Sequence, residues 1–222
     1  MSTVIIFDLD DTLYPEITYV KSGLQAVAND LERAHHLPAF ESYHLMLKTL
    51  FQEGRGKVFD WLLKYHGIHS KKSIKKCINV YRHHRPVLTV DEYALQFLEH
   101  ERRPKYLVTD GHKIVQSQKI QALNISCYFQ KTYITHRYGI AHAKPSLHCF
   151  ELIRKTESIP WEKIVYIGDN PAKDFVNLNK VGATTIRVLT GCYKDTQAKP
   201  GYDAKWMINN LSELNPLLEN HT

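Results

Sequence analysis

The chain has 222 residues, 43% of them hydrophobic, and a formal net charge of +6. This length suits one α/β domain, or a core with a smaller inserted module, and the composition excludes global disorder and a coiled coil. No segment approaches the roughly 18 consecutive apolar residues of a membrane span. The apolar run at residues 4–7 is too short for a signal peptide. We therefore expect a cytoplasmic protein that has no membrane partner.

The excess of basic residues lies in one part of the chain. Residues 15–88 hold 12 basic and 6 acidic side chains, whereas the remainder holds 17 of each. A basic surface attracts anions of any kind. Phosphorylated metabolites satisfy that preference as well as DNA does, so the charge by itself does not identify the partner.

The first predicted element is a buried strand over residues 3–8, a β-branched and aromatic run closed by polar residues. A different pattern follows. Between residues 17 and 85, apolar residues recur every three or four positions, as in Val20, Leu24 and Val27. This periodicity predicts an all-helical segment.

Beyond that segment, predicted helices and strands alternate. They are helix 91–102, strand 105–109, helix 112–123, strand 132–135, helix 145–156, strand 163–168, helix 171–181 and strand 184–189. Strands separated by helices indicate a parallel sheet that helices cover on both faces. The predicted fold class is α/β, a doubly wound parallel sheet. Residues 1–14 and 89–222 form its core, and residues 15–88 are inserted as a helical module.

Polar side chains follow the ends of the predicted strands, where open parallel sheets gather their working groups. Asp8, Asp10 and Thr12 follow the first strand, and Thr109 ends the strand at 105–109. Because the carboxyl ends of parallel strands share one edge of the sheet, we expect these groups to lie close together.

Two further carboxylates and a lysine come from later parts of the chain. Asp169 directly follows the strand at 163–168, and Asp174 is predicted in the first turn of the next helix. Lys144 precedes Pro145, a favourable first helical residue, which predicts an ammonium group beside a helix N-terminus. Several carboxylates, one hydroxyl and one lysine suit phosphoryl transfer.

These residues resemble the four motifs of the haloacid dehalogenase-like superfamily. In this chain the motifs are Asp8-x-Asp10-x-Thr12, Thr109, Lys144 and Gly168-Asp169-x-x-x-x-Asp174, in the order of that superfamily. The match extends over about residues 4–191. The resemblance implies a phosphatase, and the helical insert is similar to the superfamily's small C1-type cap.

The resemblance also implies a role for each motif residue. Asp8 is the nucleophile that forms an aspartyl-phosphate. Asp8, the backbone carbonyl of Asp10, and Asp169 hold Mg²⁺. Lys144 and the hydroxyl of Thr109 bind phosphoryl oxygens. The Asp10 carboxyl protonates the leaving alkoxide and then accepts a proton from the attacking water.

Four further polar residues are assigned expected roles beside the nucleophile, the metal ligands and the phosphate-binding groups. Asp174 is expected to orient Lys144 and a metal-bound water. Asp11 is interpreted as a residue that caps or turns the chain, and His142 as a surface histidine. Arg55 lies between two glycines in the helical segment, and we expect it to contact the substrate there.

Two alternatives stay open beside a phosphatase. A dehalogenase expels halide, which needs no proton, and such enzymes lack the second aspartate, so Asp10 favours phosphate chemistry. A sugar phosphomutase of the same superfamily keeps both aspartates. From another class, a catalytically silent module could bind an anion or a nucleic acid.

The expected partner is a small phosphorylated metabolite, either a nucleotide or a sugar phosphate, and not a nucleic acid. The stretch Asp11-Thr12-Leu13-Tyr14 is weakly similar to pyrimidine 5′-nucleotidase-like members. Sugar-phosphate phosphatases of the superfamily are similar to the same degree, and no feature of the sequence indicates an oligomeric state.

Overall fold

The computed structural model describes residues 3–221, which fold into two compact units. One unit extends up to Glu16 and resumes at Leu88, and the other comprises Ile17–Val87. The first unit contains a six-stranded sheet whose strands are all parallel. Its strands are β1 (Val4–Phe7), β2 (Lys105–Thr109), β3 (Lys131–Ile134), β4 (Ile164–Gly168), β5 (Thr184–Val188) and β6 (Trp206–Ile208).

The strand order β3-β2-β1-β4-β5-β6 places β1 at the centre of the sheet. Phe7 pairs with Leu107 on one side and with Ile167 on the other. Every residue of β1, β2 and β4 is buried, as expected for strands with helices on both faces. The direction of the order reverses between β1 and β4, and ligands of such sheets bind beyond the strand ends at that reversal.

Within the part of the chain that the structure describes, five α-helices follow the helical unit and belong to the unit that contains the sheet. They are α5 (Glu92–His100), α6 (Lys113–Leu123), α7 (His148–Glu157), α8 (Val176–Lys180) and α9 (Leu214–His221). Residues such as Phe150, Ile153 and Phe175 pack with strand residues Ile6 and Tyr166 in the core of this unit. The α/β prediction is therefore confirmed.

The second unit is helical, as the periodicity predicts. Its helices are α1 (Glu16–His35, which starts in the first unit), α2 (Ala39–Glu53), α3 (Val58–Tyr65) and α4 (Lys71–His83). Val20, Leu24 and Val27 of α1 pack with Met46 and Leu62 in a separate hydrophobic core. Within the described residues, no helix combines the length and the apolar character needed to cross a bilayer.

Two predicted helix starts are wrong. The helix after Lys144 begins at His148 instead of residue 145, because a turn in which the Ser146 hydroxyl accepts the His148 N–H comes first. The helix after β4 begins at Val176 instead of residue 171. The intervening residues form a loop closed by a hydrogen bond from the Asp174 N–H to the Asn170 carbonyl.

Candidate active site

Three buried carboxylates converge beyond the ends of β1 and β4. Asp8 directly follows β1, and its N–H donates to the Ile167 carbonyl at 2.8 Å, which continues the pairing of the strands. Asp169 follows β4, and Asp174 lies in the loop after it. One carboxylate oxygen from each of these aspartates lies within 4.8 Å of the other two. The sheet therefore gathers groups that are up to 166 positions apart, as the strand ends predict.

Lys144 is inserted among these carboxylates. Its Nζ lies 2.7 Å from Asp174 Oδ1 and 3.0 Å from Asp8 Oδ2, and it donates to the Tyr166 hydroxyl at 2.8 Å. The prediction that Lys144 sits beside a helix N-terminus is wrong. Two buried carboxylates provide its ammonium group with stronger electrostatic partners than a helix end does.

Asp174 reaches Lys144 from the loop rather than from a helix. Its Oδ2 accepts the N–H of Asn170 at 2.9 Å, and its Oδ1 accepts the Tyr166 hydroxyl at 3.3 Å. A Cβ atom at Gly168 would lie 2.6 Å from Asp174 Oδ2. The motif glycine therefore leaves room for the carboxylate that orients Lys144.

Burial and mutual repulsion shift the protonation of the cluster. Burial raises the pKa of Asp8 to about 7, although Lys144 opposes the shift. Burial, together with the neighbouring Asp8 and Asp174, raises the pKa of Asp169 to about 9. Burial alone would lower the pKa of Lys144, but the surrounding carboxylates raise it well above its ordinary value. With all three carboxylates deprotonated, the cluster would hold more negative charge than Lys144 alone can offset, and the raised pKa values reflect that cost.

The Asp10 side chain is not part of this cluster. Its carboxylate accepts hydrogen bonds from Lys119 Nζ at 2.7 Å, the Tyr14 hydroxyl at 2.7 Å and Gln116 Nε2 at 2.8 Å. Gln116 Nε2 also donates to Thr109 Oγ1 at 2.6 Å. Thr109 is fully buried. Gln116 therefore contacts both Thr109, the predicted phosphate-binding residue, and Asp10, the predicted proton carrier.

The sequence interpretation missed Gln116 and Lys119. Both lie on α6, and both are almost fully buried, beside the buried apolar residues Ile120 and Leu123. They could have been identified from the sequence because two polar residues, three positions apart, lie on the apolar face of a predicted helix.

Asp110 and Lys173 were also missed. Asp110 accepts hydrogen bonds from the Thr135 hydroxyl at 2.6 Å and from the Lys144 N–H at 3.1 Å, and it pairs with Lys173 Nζ at 3.2 Å. Burial opposes the shift, but Lys144 and Lys173 lower the pKa of Asp110. Asp110 therefore holds the Lys144 backbone and a second ammonium group close to the carboxylate cluster.

Asp11 caps the chain after β1, as predicted. Its side chain accepts the N–H of Glu16, the first residue of α1, at 2.8 Å, and the N–H of Cys192 at 3.3 Å. Arg55 lies in the helical unit, exposed, in a single 3₁₀ turn. His142 is half-buried, and its ring packs against the His148 ring with centroids 4.0 Å apart and an angle of 32° between the ring planes.

Comparison with known proteins identifies this arrangement. The family model for haloacid dehalogenase-like hydrolases matches residues 3–182. The chain belongs to the haloacid dehalogenase-like hydrolases. The resemblance inferred from the four motifs is therefore confirmed.

Relatives of this hydrolase are phosphatases. A glyceraldehyde 3-phosphate phosphatase from Methanocaldococcus jannaschii is 30% identical, over 97% of this chain and 96% of its own. One from Methanopyrus kandleri is 25% identical, over 90% and 89%. The solved structure of the hydrolase YfnB from Bacillus subtilis, bound to magnesium, covers 98% of each chain with a TM-score of 0.68 at 16% identity. The sequence relatives confirm the prediction of a phosphoric monoester hydrolase, and the structural neighbour confirms the fold.

Proposed function

We propose that this hydrolase is a Mg²⁺-dependent phosphatase that removes the phosphoryl group from small sugar phosphates through an aspartyl-phosphate. The observation that carries the proposal is the buried cluster of Asp8, Asp169 and Asp174 around Lys144. A buried set of carboxylates without enough positive charge is unfavourable for the fold. It is therefore expected to serve a cation and the chemistry of an anionic substrate.

The donor set fits Mg²⁺, which prefers hard oxygen ligands and typically uses one or two carboxylates together with substrate phosphate. Asp8 and Asp169 would hold the ion, with the backbone carbonyl of Asp10 as the third group. Asp174 also offers an oxygen within the cluster, although it is already paired with Lys144. When bound, Mg²⁺ supplies positive charge that allows a phosphate dianion to approach the carboxylates.

Asp8 is the proposed nucleophile. Its Oδ atom attacks phosphorus, and the bond from phosphorus to the leaving alkoxide breaks. Lys144 lies 3.0 Å from Asp8 Oδ2 and can bind a phosphoryl oxygen beside it. Thr109 Oγ1 accepts a hydrogen bond from Gln116, so its own hydrogen can be donated to a second phosphoryl oxygen.

Asp10 is the proposed proton carrier. In the first step its carboxylic acid gives a proton to the leaving alkoxide. In the second step its carboxylate takes a proton from the water that attacks the aspartyl-phosphate, which restores both Asp8 and Asp10. A positioned acid–base group of this kind contributes typically 10²–10⁴-fold to the rate.

The relatives favour a sugar phosphate over a nucleotide as the substrate. The relatives described above are both named glyceraldehyde 3-phosphate phosphatases, and they align with nearly the whole chain. We propose a triose phosphate or a similar short sugar phosphate as the substrate class. Residues 15–88 are proposed to act as a cap that selects the substrate, because this basic segment is inserted between the first two motifs.

A substrate panel tests the proposal. The purified protein is assayed against glyceraldehyde 3-phosphate, longer sugar phosphates and nucleoside monophosphates, with Mg²⁺ and with excess EDTA. We expect the highest kcat/KM for the triose phosphate and no turnover after chelation. Full turnover in EDTA would refute the metal requirement, and a clear preference for nucleotides would refute the substrate class.

A further inference from the structure

We propose that Lys119, together with Tyr14 and Gln116, positions the Asp10 carboxyl group for proton transfer. This inference rests on the proposed function, in which Asp10 carries the proton. The three residues belong to the positioning machinery, because each of them contacts Asp10 and none is assigned a contact with the substrate.

Lys119 makes two ion pairs, one with Asp10 and one with Glu16. Its Nζ lies 2.7 Å from Asp10 Oδ1 and 3.0 Å from Glu16 Oε1, and its side chain is only 2% exposed. A buried ammonium group is strongly destabilised when it loses a partner. Rotation of Asp10 away from Lys119 would remove one of these two partners, which favours the observed orientation of the carboxyl group.

The other two donors restrict the remaining freedom of Asp10. The chain after β1 turns back so that the Tyr14 hydroxyl donates to Asp10 Oδ1 at 2.7 Å. Gln116 Nε2 donates to Asp10 Oδ2 at 2.8 Å and to Thr109 Oγ1 at 2.6 Å. Both carboxyl oxygens of Asp10 thus accept hydrogen bonds. The Gln116 amide group also fixes the position of the Asp10 carboxyl group relative to the Thr109 hydroxyl.

Proton transfer depends on this placement because the acid must lie within hydrogen-bond reach of the leaving oxygen. The Asp10 side chain keeps 21% exposure, which leaves part of it accessible to a substrate. Loss of a positioning residue should therefore impair the proton-transfer step and leave phosphoryl binding by Lys144 in place.

The test measures kcat/KM, which reports the steps up to departure of the leaving group, for glycerol phosphate and for p-nitrophenyl phosphate. An alkoxide needs a proton to leave, whereas an acidic phenol does not. We expect Lys119→Met to lower kcat/KM for glycerol phosphate by roughly 10–100-fold, and for the aryl phosphate by less than about threefold. Lys119→Arg should restore part of the loss. Lys113→Met, which removes an exposed lysine of the same helix, is the matched control and should match the unmodified protein.

Tyr14→Phe is the second variant, because it removes one hydroxyl and keeps the buried ring. It should show the same dependence on the leaving group. In the Asp10→Asn background, Lys119→Met should cost little further activity, since the group that it positions no longer carries a proton. Equal losses on the two substrates, or additive losses in the double variant, would overturn the inference.

The Asp10→Asn variant by itself distinguishes failure of the proposed role of Asp10 from failure of the positioning inference. If it shows no dependence on the leaving group, the proposed role of Asp10 fails, and the positioning inference fails with it. If it shows that dependence and neither Lys119→Met nor Tyr14→Phe does, the proposed function stands and only the positioning inference is overturned.

Discussion

Lys144 Nζ lies 2.7 Å from Asp174 Oδ1, and the two side chains are 1% and 0% exposed. Asp8 Oδ2 lies 3.0 Å from the same ammonium group. One buried lysine thus balances two carboxylates, one of which is the proposed nucleophile. The stability of the fold and the charge of the site depend on the same residue.

Lys144→Met should therefore affect stability as well as activity. Removal of one partner of a buried ion pair costs about 3–5 kcal/mol of unfolding free energy, and urea denaturation in EDTA measures this loss. Turnover should be abolished. Lys155→Met is the control, because Lys155 makes an exposed ion pair with Glu151 at 3.7 Å and such pairs contribute little. Similar losses for the two variants would contradict the prediction.

Substitution of Asp8 and substitution of Asp10 should impair activity in different ways. Asp8→Asn should abolish turnover of every substrate, because an amide is a poor nucleophile. Asp10→Asn should lower kcat/KM for an alkyl phosphate by about 10²–10⁴-fold, and much less for a phosphate with an acidic phenol leaving group. Steady-state assays with the two substrates distinguish these outcomes, and residual hydrolysis by Asp8→Asn would argue against the covalent step.

The metal-free protein should lose stability as pH rises. The pKa of Asp8 is raised from 3.8 to about 7 and that of Asp169 from 3.8 to about 9, chiefly by burial. At pH values between 3.8 and these raised pKa values, the folded protein binds more protons than the unfolded chain does. The free energy of unfolding therefore falls as the pH increases. The proposed Mg²⁺ would bind the deprotonated carboxylates, and its stabilising effect should accordingly grow with pH.

Thermal unfolding in EDTA and in Mg²⁺, at about pH 6 and about pH 9, checks this expectation. Asp169→Asn should weaken the pH dependence of the metal-free protein, since one of the two responsible groups is gone. A metal-free protein whose stability increases over this range would contradict the charge balance that we infer for the cluster.

Asp11→Ala should lower the free energy of unfolding by about 1 kcal/mol, a typical effect of losing a side chain that accepts a helix N-terminal N–H. Gly191→Ala should be more damaging, because Gly191 has a φ of +64° and its Cβ would lie 2.1 Å from Asp11 Cγ. An Asp11→Gly background removes both the Cγ atom and the Cβ atom, which would lie 2.3 Å away, so the same glycine substitution should cost less there. Urea denaturation of the single and double variants measures this coupling, and strict additivity would contradict it.

Arg55→Ala should lower kcat/KM for the sugar phosphate by roughly tenfold, as loss of a charge-assisted hydrogen bond would. It should spare p-nitrophenyl phosphate, which offers the helical segment little to hold. Lys57→Ala is the control from the same 3₁₀ turn. Equal losses on the two substrates would instead assign Arg55 to the phosphoryl group or to the fold.

The sequence by itself determined the fold class, the helical segment and the motif residues at the strand ends. These features are local in the chain. A short β-branched run such as Val4–Phe7 predicts a buried strand, and a parallel sheet brings the residues after such strands to one edge. Asp8, Thr109 and Asp169 could therefore be expected near one another before their positions were known.

Only the tertiary structure decided what each of these groups contacts. Lys119 is 109 positions from Asp10, and Lys173 is 63 positions from Asp110, so no periodicity relates either pair. The strand β6 was also missed, because it is three residues long and two of them are exposed. Hydrogen bonds and ion pairs between distant segments depend on how the helices pack on the sheet. A pattern that repeats over two or four residues carries no information about that packing.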